Sequence, residues 1–150
     1  MDEKVFSDNV ITQVGIVVKD IEKAAEAFAA AFGMEKPGWS WTDGYEKART
    51  EYRGRPSEAR AKLSFMKFGS VEIELIEPDE KMSTWREHLE TRGEGIHHLA
   101  FVIKDMGGHI ERAGAAGMNL VQRGEYEGGR YAYIDAVPDL KMVVELLEND

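Results

Sequence analysis

The stretch that decides the fold is Gln13-Val14-Gly15-Ile16-Val17-Val18-Lys19-Asp20, because the chain repeats its plan in His98-Leu99-Ala100-Phe101-Val102-Ile103-Lys104-Asp105. In both stretches an apolar run ends in Lys-Asp. Each half later contains a Gly-Met pair and closes on an acidic motif. These are Gly33-Met34 with Glu74-Leu75-Ile76-Glu77 in the first half, and Gly117-Met118 with Glu145-Leu146-Leu147-Glu148 in the second. Internal repetition of this kind predicts two copies of one structural unit.

Each half predicts one strand, one helix and three further strands. Residues 11–18 are rich in β-branched side chains, and Asp20 is a suitable N-cap for a helix over 21–32 that Gly33 ends. The further strands are predicted around 49–53, at 61–68 and at 71–76. In the second half, strands are predicted at 96–103, 120–123, 130–134 and 142–147, with a helix at 108–116. We therefore expect an α+β fold of two βαβββ modules, residues 8–78 and 95–148. They form a single domain over 1–150, joined by a linker in which Thr84 starts a short helix.

The composition restricts the partners and the compartment. A formal net charge of −9 argues against nucleic acid or an anionic membrane surface as the main partner. The chain contains no cysteine, so disulfides and thiolate ligands are excluded. No apolar run approaches the roughly 20 residues that span a bilayer. Because the first residues also lack a signal-peptide plan, we expect a cytoplasmic protein.

The repeat places four polar residues at equivalent positions. The Lys-Asp register makes His98, rather than His97, the counterpart of Gln13, and it pairs Glu74 with Glu145. Taken alone, a strand glutamate is more often solvated and a lone histidine more often a core residue. As a set, oxygen ligands plus one imidazole suit a divalent ion such as Zn, Ni, Co or Mn.

These residues resemble the vicinal oxygen chelate superfamily, also called the glyoxalase/bleomycin-resistance family. Residues 93–101, 74–78 and 144–146 look most like methylmalonyl-CoA epimerases, whereas the Gln/Glu/His/Glu set is similar to that of glyoxalase I of the eukaryotic type. The resemblance implies a cupped, barrel-like mixed sheet with helices on the outside. It also implies a metal held by Gln13, Glu74, His98 and Glu145.

The chemistry that the resemblance implies is proton abstraction beside a carbonyl, with Glu145 as the first choice of base and Glu74 as the alternate. The expected substrate is an acyl-CoA, another thioester or a 2-oxo compound. Arg49, Arg53, Tyr131 and Tyr133 are the candidate substrate-binding residues. Members of the family commonly dimerise, so a homodimer is expected.

The sequence leaves the choice of reaction open. The strand and linker motifs favour an epimerase, and Gln13 favours a lactoylglutathione lyase of the glyoxalase I type. Leu63 occupies the position of a catalytic carboxylate in one epimerase pattern, and Val17 that of an arginine in glutathione-using glyoxalases. A further alternative is a non-catalytic, small-molecule-binding resistance protein. A ring-cleaving dioxygenase is disfavoured, because Gln13 replaces the second histidine that its iron site needs.

Overall fold

The structure, a computed structural model, describes residues 4–150, and within them ten strands form one mixed sheet. The strands are β1 Gln13–Val17, β2 Ser40–Trp41, β3 Glu51–Tyr52, β4 Arg55–Pro56, β5 Ala61–Phe68, β6 Val71–Pro78, β7 Gly95–Val102, β8 Asn119–Tyr126, β9 Gly129–Asp135 and β10 Val143–Asn149. The helices are α1 Ile21–Phe32, α2 Tyr45–Ala48, α3 Thr84–Arg92, α4 Met106–Ala115 and α5 Val137–Leu140. The sheet curls into a half-barrel with the strand order β2-β5-β6-β1-β7-β10-β9-β8-β3-β4. The predicted α+β fold class is therefore confirmed.

The two repeats meet at the centre of the sheet. Strand β1 pairs antiparallel with β7, its counterpart in the repeat. On their outer sides, β1 runs parallel to β6 and β7 runs parallel to β10. The two acidic strands therefore flank the central pair symmetrically.

The Lys-Asp motif starts a helix in both halves. The Asp20 carboxylate accepts a hydrogen bond from the Lys23 amide at 3.1 Å, and Asp105 accepts one from the Gly108 amide at 3.2 Å. Such N-caps satisfy amides that have no partner inside the helix. The predicted bounds of α1 are confirmed, whereas α4 begins at Met106, two residues before the predicted start.

The second glutamate of each acidic motif reaches the same helix starts. Glu77 accepts a hydrogen bond from the Ile21 amide at 2.9 Å, and Glu148 accepts one from the Met106 amide at 3.0 Å. Residues three apart on a strand point to opposite faces. Each motif therefore directs one glutamate to the helix-covered face and the other to the cupped face.

The helix-covered face holds two apolar clusters, one in each half. In the first, Ile21 and Ala25 of α1 pack on Leu75 of β6. In the second, Met106 and Ala113 of α4 are part of a cluster with Val144 and Leu146 of β10. A third cluster, which includes Trp85 of α3 and Tyr133 of β9, borders the cupped face. No helix among residues 4–150 is long and apolar enough to cross a membrane.

The early short strands differ from the prediction. A strand near residues 49–53 is present as β3, but it pairs with β8 of the other repeat, with Glu51 opposite Arg123. The strand beside β5 is β2, where no strand was predicted. Both are two-residue strands whose partners lie far away in sequence, so local residue patterns do not specify their pairing.

Candidate metal centre

Three buried polar side chains converge on Nε2 of a fourth, His98. This nitrogen lies 3.0 Å from Oε1 of Glu145 and 3.5 Å from Oε1 of Glu74. Oε1 of Gln13 lies 3.2 Å from the same nitrogen. His98 is fully buried, and the other three side chains are also buried. The structure thus brings together all four residues that the sequence selects as ligands.

Two small residues make this convergence geometrically feasible. Gly15 lies between Glu74 on β6 and His98 on β7, and Ala100 lies between Gln13 on β1 and Glu145 on β10. A Cβ atom on Gly15 would stand only 2.0 Å from Cε1 of His98. The His98 ring therefore occupies the space that the missing side chain leaves.

A β-bulge at His97 changes what strand alternation predicts. Gly15 pairs with His98 and Ile16 with Ile96, so His97 has no opposite residue on β1. A bulge re-aims the neighbouring side chains. As a result Nδ1 of His97 lies 2.8 Å from Nδ1 of His98, and Nε2 of His97 lies 3.1 Å from Oγ1 of Thr84.

His97 fixes the orientation of the His98 ring. Burial, reinforced by the proximity of His98 and His88, holds the pKa of His97 well below its usual value, so its imidazole is neutral. When Nε2 of His98 faces a metal, its Nδ1–H donates to Nδ1 of His97, whose Nε2–H donates to Thr84. Such outer contacts orient metal-bound histidines.

The donor set fits a divalent cation. Oε1 of Glu74 and Oε1 of Glu145 are buried and have no hydrogen-bond partner among residues 4–150. The donor atoms of Glu74, His98 and Glu145 lie within 4.8 Å of one another. Metal–ligand bonds of about 2.1 Å place neighbouring donors about 3.0–3.4 Å apart, close to the separations observed around His98. The Gln13 amide nitrogen donates to Glu72 at 3.0 Å, which leaves its oxygen turned towards the centre.

Electrostatics also favour a cation at this point. Burial, together with repulsion from Glu145 and Glu72, raises the pKa of Glu74 well above its usual value. Two buried carboxylates that face each other without a cation are unfavourable, and a bound metal removes that conflict.

Gln13, Glu74 and Glu145 line a cavity of about 470 Å³ on the cupped face, whereas the buried His98 borders a separate cavity next to α3. Tyr131 and Tyr133, both predicted to bind substrate, line this cavity. The Tyr133 hydroxyl accepts a hydrogen bond from Trp85 Nε1 at 3.0 Å, and the Tyr131 hydroxyl accepts one from Gln122 Nε2 at 3.0 Å. Both rings are therefore held in fixed positions beside the centre.

Arg49 and Arg53 do not line this cavity, although they too were predicted to bind substrate. The Arg53 guanidinium pairs with Glu87 at 2.9 Å and borders a separate cavity of about 250 Å³ next to α3. Arg49 lies over the Tyr45 ring at 5.8 Å. Their segment does reach the cavity, because Ala48 and Thr50 line it, but the two arginine side chains lie outside the lining.

Several residues that line the cavity were not predicted to belong to the site. They are Trp41, Thr50, Phe65, Trp85, Tyr126 and Leu147. Trp85 follows a recognisable helix start, but nothing local indicates that α3 turns its indole towards the sheet.

A sequence profile of the Glyoxalase/Bleomycin resistance protein/Dioxygenase superfamily matches residues 12–134. The chain belongs to this superfamily. The matched segment contains three of the four converging residues and ends before Glu145. The superfamily's name spans enzymes and resistance proteins, so membership alone does not fix an activity.

The most informative relatives agree with this assignment. The uncharacterized protein YqjC of Bacillus subtilis is 30% identical over 94 residues, which cover 61% of this chain and 67% of that protein. Methylmalonyl-CoA epimerase from Mycobacterium tuberculosis is similar in structure, with a TM-score of 0.60, 23% identity and coverage of 93% of this chain and 87% of that chain. A variant of Streptomyces coelicolor methylmalonyl-CoA epimerase in complex with 2-nitronate-propionyl-CoA has a TM-score of 0.61, 20% identity and coverage of 93% and 96%. At these identities the structural matches establish a shared fold.

Proposed function

We propose that this protein is a divalent-metal-dependent isomerase or lyase that removes a proton next to a carbonyl group. The observation that carries the proposal is the convergence of Gln13, Glu74 and Glu145 on Nε2 of His98. Within the described part of the chain, two of the carboxylate oxygens have no hydrogen bond. The cluster also lies open to a cavity large enough for a small molecule.

The four residues would hold a Zn, Ni, Co or Mn ion. When bound, such an ion acts as a Lewis acid on the substrate carbonyl and stabilises negative charge on its oxygen. The chain's own contribution is the proton transfer. The C–H bond next to the carbonyl breaks, its electron pair forms the enolate, and a Glu145 oxygen takes the proton.

In an epimerase, Glu145 removes the proton from one face of the carbon, and Glu74, as its partner, delivers a proton to the opposite face. In an isomerase, Glu145 returns the proton to the neighbouring carbon. Glu74 is also the alternate base, and burial raises its pKa well above the usual value before a metal binds. Tyr131 and Tyr133 flank the reacting carbon and limit the entry of water. Leu63, on β5, also lines the cavity, which supports assigning the base to β6 or β10 rather than to β5.

The reaction type of methylmalonyl-CoA epimerase, removal and return of a proton at one carbon, is the first choice, because two epimerases of that name share the fold over most of the chain. The second candidate is a lactoylglutathione lyase of the glyoxalase I type, which the amide oxygen of Gln13 favours. We also predict that the protein forms a homodimer and that it acts in the cytoplasm.

The decisive test compares two glutamates on one strand. We expect the purified protein to contain a stoichiometric divalent metal and to exchange substrate hydrogen for solvent deuterium. A panel of 2-substituted acyl-CoA thioesters, 2-hydroxyacyl thiols and simple 2-oxo compounds identifies the substrate. Glu145→Gln should abolish the exchange while it retains most of the metal.

Glu148→Gln is the matched control, because this residue contacts the start of α4 and lies outside the cavity lining. It should exchange deuterium at the wild-type rate. Full activity of Glu145→Gln would remove that residue from the role of base. Metal binding without exchange on any substrate would favour the non-catalytic, small-molecule-binding alternative.

A further inference from the structure

The lining of the metal-centre cavity is aromatic and acidic. Six aromatic side chains border it: Trp41, Phe65, Trp85, Tyr126, Tyr131 and Tyr133. Four carboxylates also border it: Asp43, Glu74, Glu125 and Glu145. Within residues 4–150, no lysine or arginine contributes to this lining.

The charges of the lining side chains and a bound divalent ion would not add up to a net positive charge that attracts an anionic substrate. A divalent ion would balance the charges of Glu74 and Glu145. Asp43 and Glu125 are both exposed, and they add negative charge at the solvent-facing edge of the cavity. A substrate anion would therefore approach two carboxylates and a site that is close to neutral.

The neighbouring cations have other partners. Lys62 Nζ lies 4.5 Å from the centre of the Trp39 ring and pairs with Glu77 at 3.3 Å. Arg60 lies over Trp41 at 5.3 Å, and its Nε donates to the backbone oxygen of Thr42 at 2.9 Å. Both cations hold the segment around β2 in place and do not line the cavity.

We propose that the cavity selects a substrate whose reacting part is uncharged or cationic and has a planar apolar body. An aryl-substituted 2-oxo or 2-hydroxycarbonyl compound meets this description, whereas a thioester with an anionic acyl group does not. Aromatic walls favour planar groups, and their faces attract cations. The inference rests on the proposed function, because the vicinal oxygens of the substrate bind the metal.

The test uses three chelating probes that carry different charges at the 4-position of one aromatic ring. Benzohydroxamic acid, its 4-carboxy derivative and its 4-trimethylammonio derivative are titrated into the cobalt-loaded protein, and the cobalt absorption spectrum reports binding. At low ionic strength we expect the 4-carboxy probe to bind about tenfold more weakly than the uncharged probe, because each partly solvated carboxylate changes the affinity severalfold. The trimethylammonio probe should bind as tightly as the uncharged probe or more tightly, and salt should narrow the differences.

Variants locate the origin of the selectivity. Asp43→Asn combined with Glu125→Gln should remove most of the penalty on the 4-carboxy probe. Glu127→Gln is the matched control, because Glu127 lies in the same hairpin but outside the cavity lining, and it should leave the ranking unchanged. Equal or tighter binding of the 4-carboxy probe to the wild-type protein would overturn the inference.

The two proposals fail in different ways. Cobalt binding and deuterium exchange together with a reversed charge ranking would refute only the substrate class. A protein that binds no cobalt would refute the metal centre, and the substrate inference would fall with it.

Discussion

Replacing Gly15 by alanine should dismantle the metal centre through a single methyl group. The new Cβ would lie 2.0 Å from Cε1 of His98. Carbon atoms in contact stay about 3.5 Å apart, so the ring must move by about 1.5 Å. The backbone cannot yield easily, because β1 and β7 each have a hydrogen-bonded strand on both sides. The ring itself must therefore rotate away.

That rotation removes one donor from the cluster. Nε2 of His98 would no longer lie 3.0 Å from Glu145 and 3.2 Å from Gln13. Loss of outer contacts to a ligand already lowers metal affinity about 10–100-fold, so displacement of the ligand itself should cost at least about 100-fold, or about 2.7 kcal/mol. Crowding at a packed position should also lower the free energy of unfolding by about 1–3 kcal/mol.

The assay is calorimetric titration of zinc into the metal-free protein, with urea unfolding of the same samples. Gly114→Ala is the control, because a Cβ on Gly114 meets nothing within 4 Å and its position lies within α4. It should leave zinc affinity unchanged and raise stability slightly. A Gly15→Ala protein with wild-type zinc affinity would refute the assignment of His98 as a ligand.

Three further predictions concern pH and the contacts around the centre. His97→Phe should lower metal affinity about 10–100-fold without unfolding the protein, as measured by competition with a chelator; an unchanged affinity would show that His97 does not position His98. Because the pKa of Glu74 is raised, the metal-free protein should lose stability as pH rises through that pKa. Metal binding should become tighter as pH rises and should release about one proton, which calorimetric titrations in buffers of different ionisation enthalpy would measure. The hydrogen bonds from the Met106 and Asp105 amides lower the pKa of Glu148, so its contribution to stability is present above the pKa of an unfolded glutamate and is lost as pH falls. In urea unfolding, Glu148→Gln should therefore have a lower free energy of unfolding than the wild type at pH 7, and the difference should shrink at pH 4. An equal difference at both pH values would contradict the assignment.

The repeat in the sequence predicted the four residues of the candidate metal centre. Equivalent positions in two copies of one unit come to equivalent places around the axis that relates β1 and β7. Gln13 and His98 are therefore correctly paired, as are Glu74 and Glu145. The helix starts at Asp20 and Asp105 were also predictable, because capping depends on neighbouring residues.

The substrate side of the site was not predictable in the same way. Arg49 and Arg53 look suited to bind an anion, but their neighbours Ala48 and Thr50, rather than the arginines, line the cavity. Strand alternation alone would place the ring of His97 on the face opposite to His98, and the bulge brings the two rings together. The bulge depends on the pairing of β1 with β7, two strands that are distant in sequence.

What the sequence by itself determined is thus the fold class and the identity of the converging residues, because periodicity and duplication are local and repeated signals. Only the tertiary structure decided which side chains enclose the cavity. Its aromatic walls come from β2, β5, α3, β8 and β9, and its lack of lysine and arginine emerges only when those elements pack together. Short edge strands gain their stability from such contacts rather than from their own residues, so their positions and the charge of the cavity are properties of the assembled sheet.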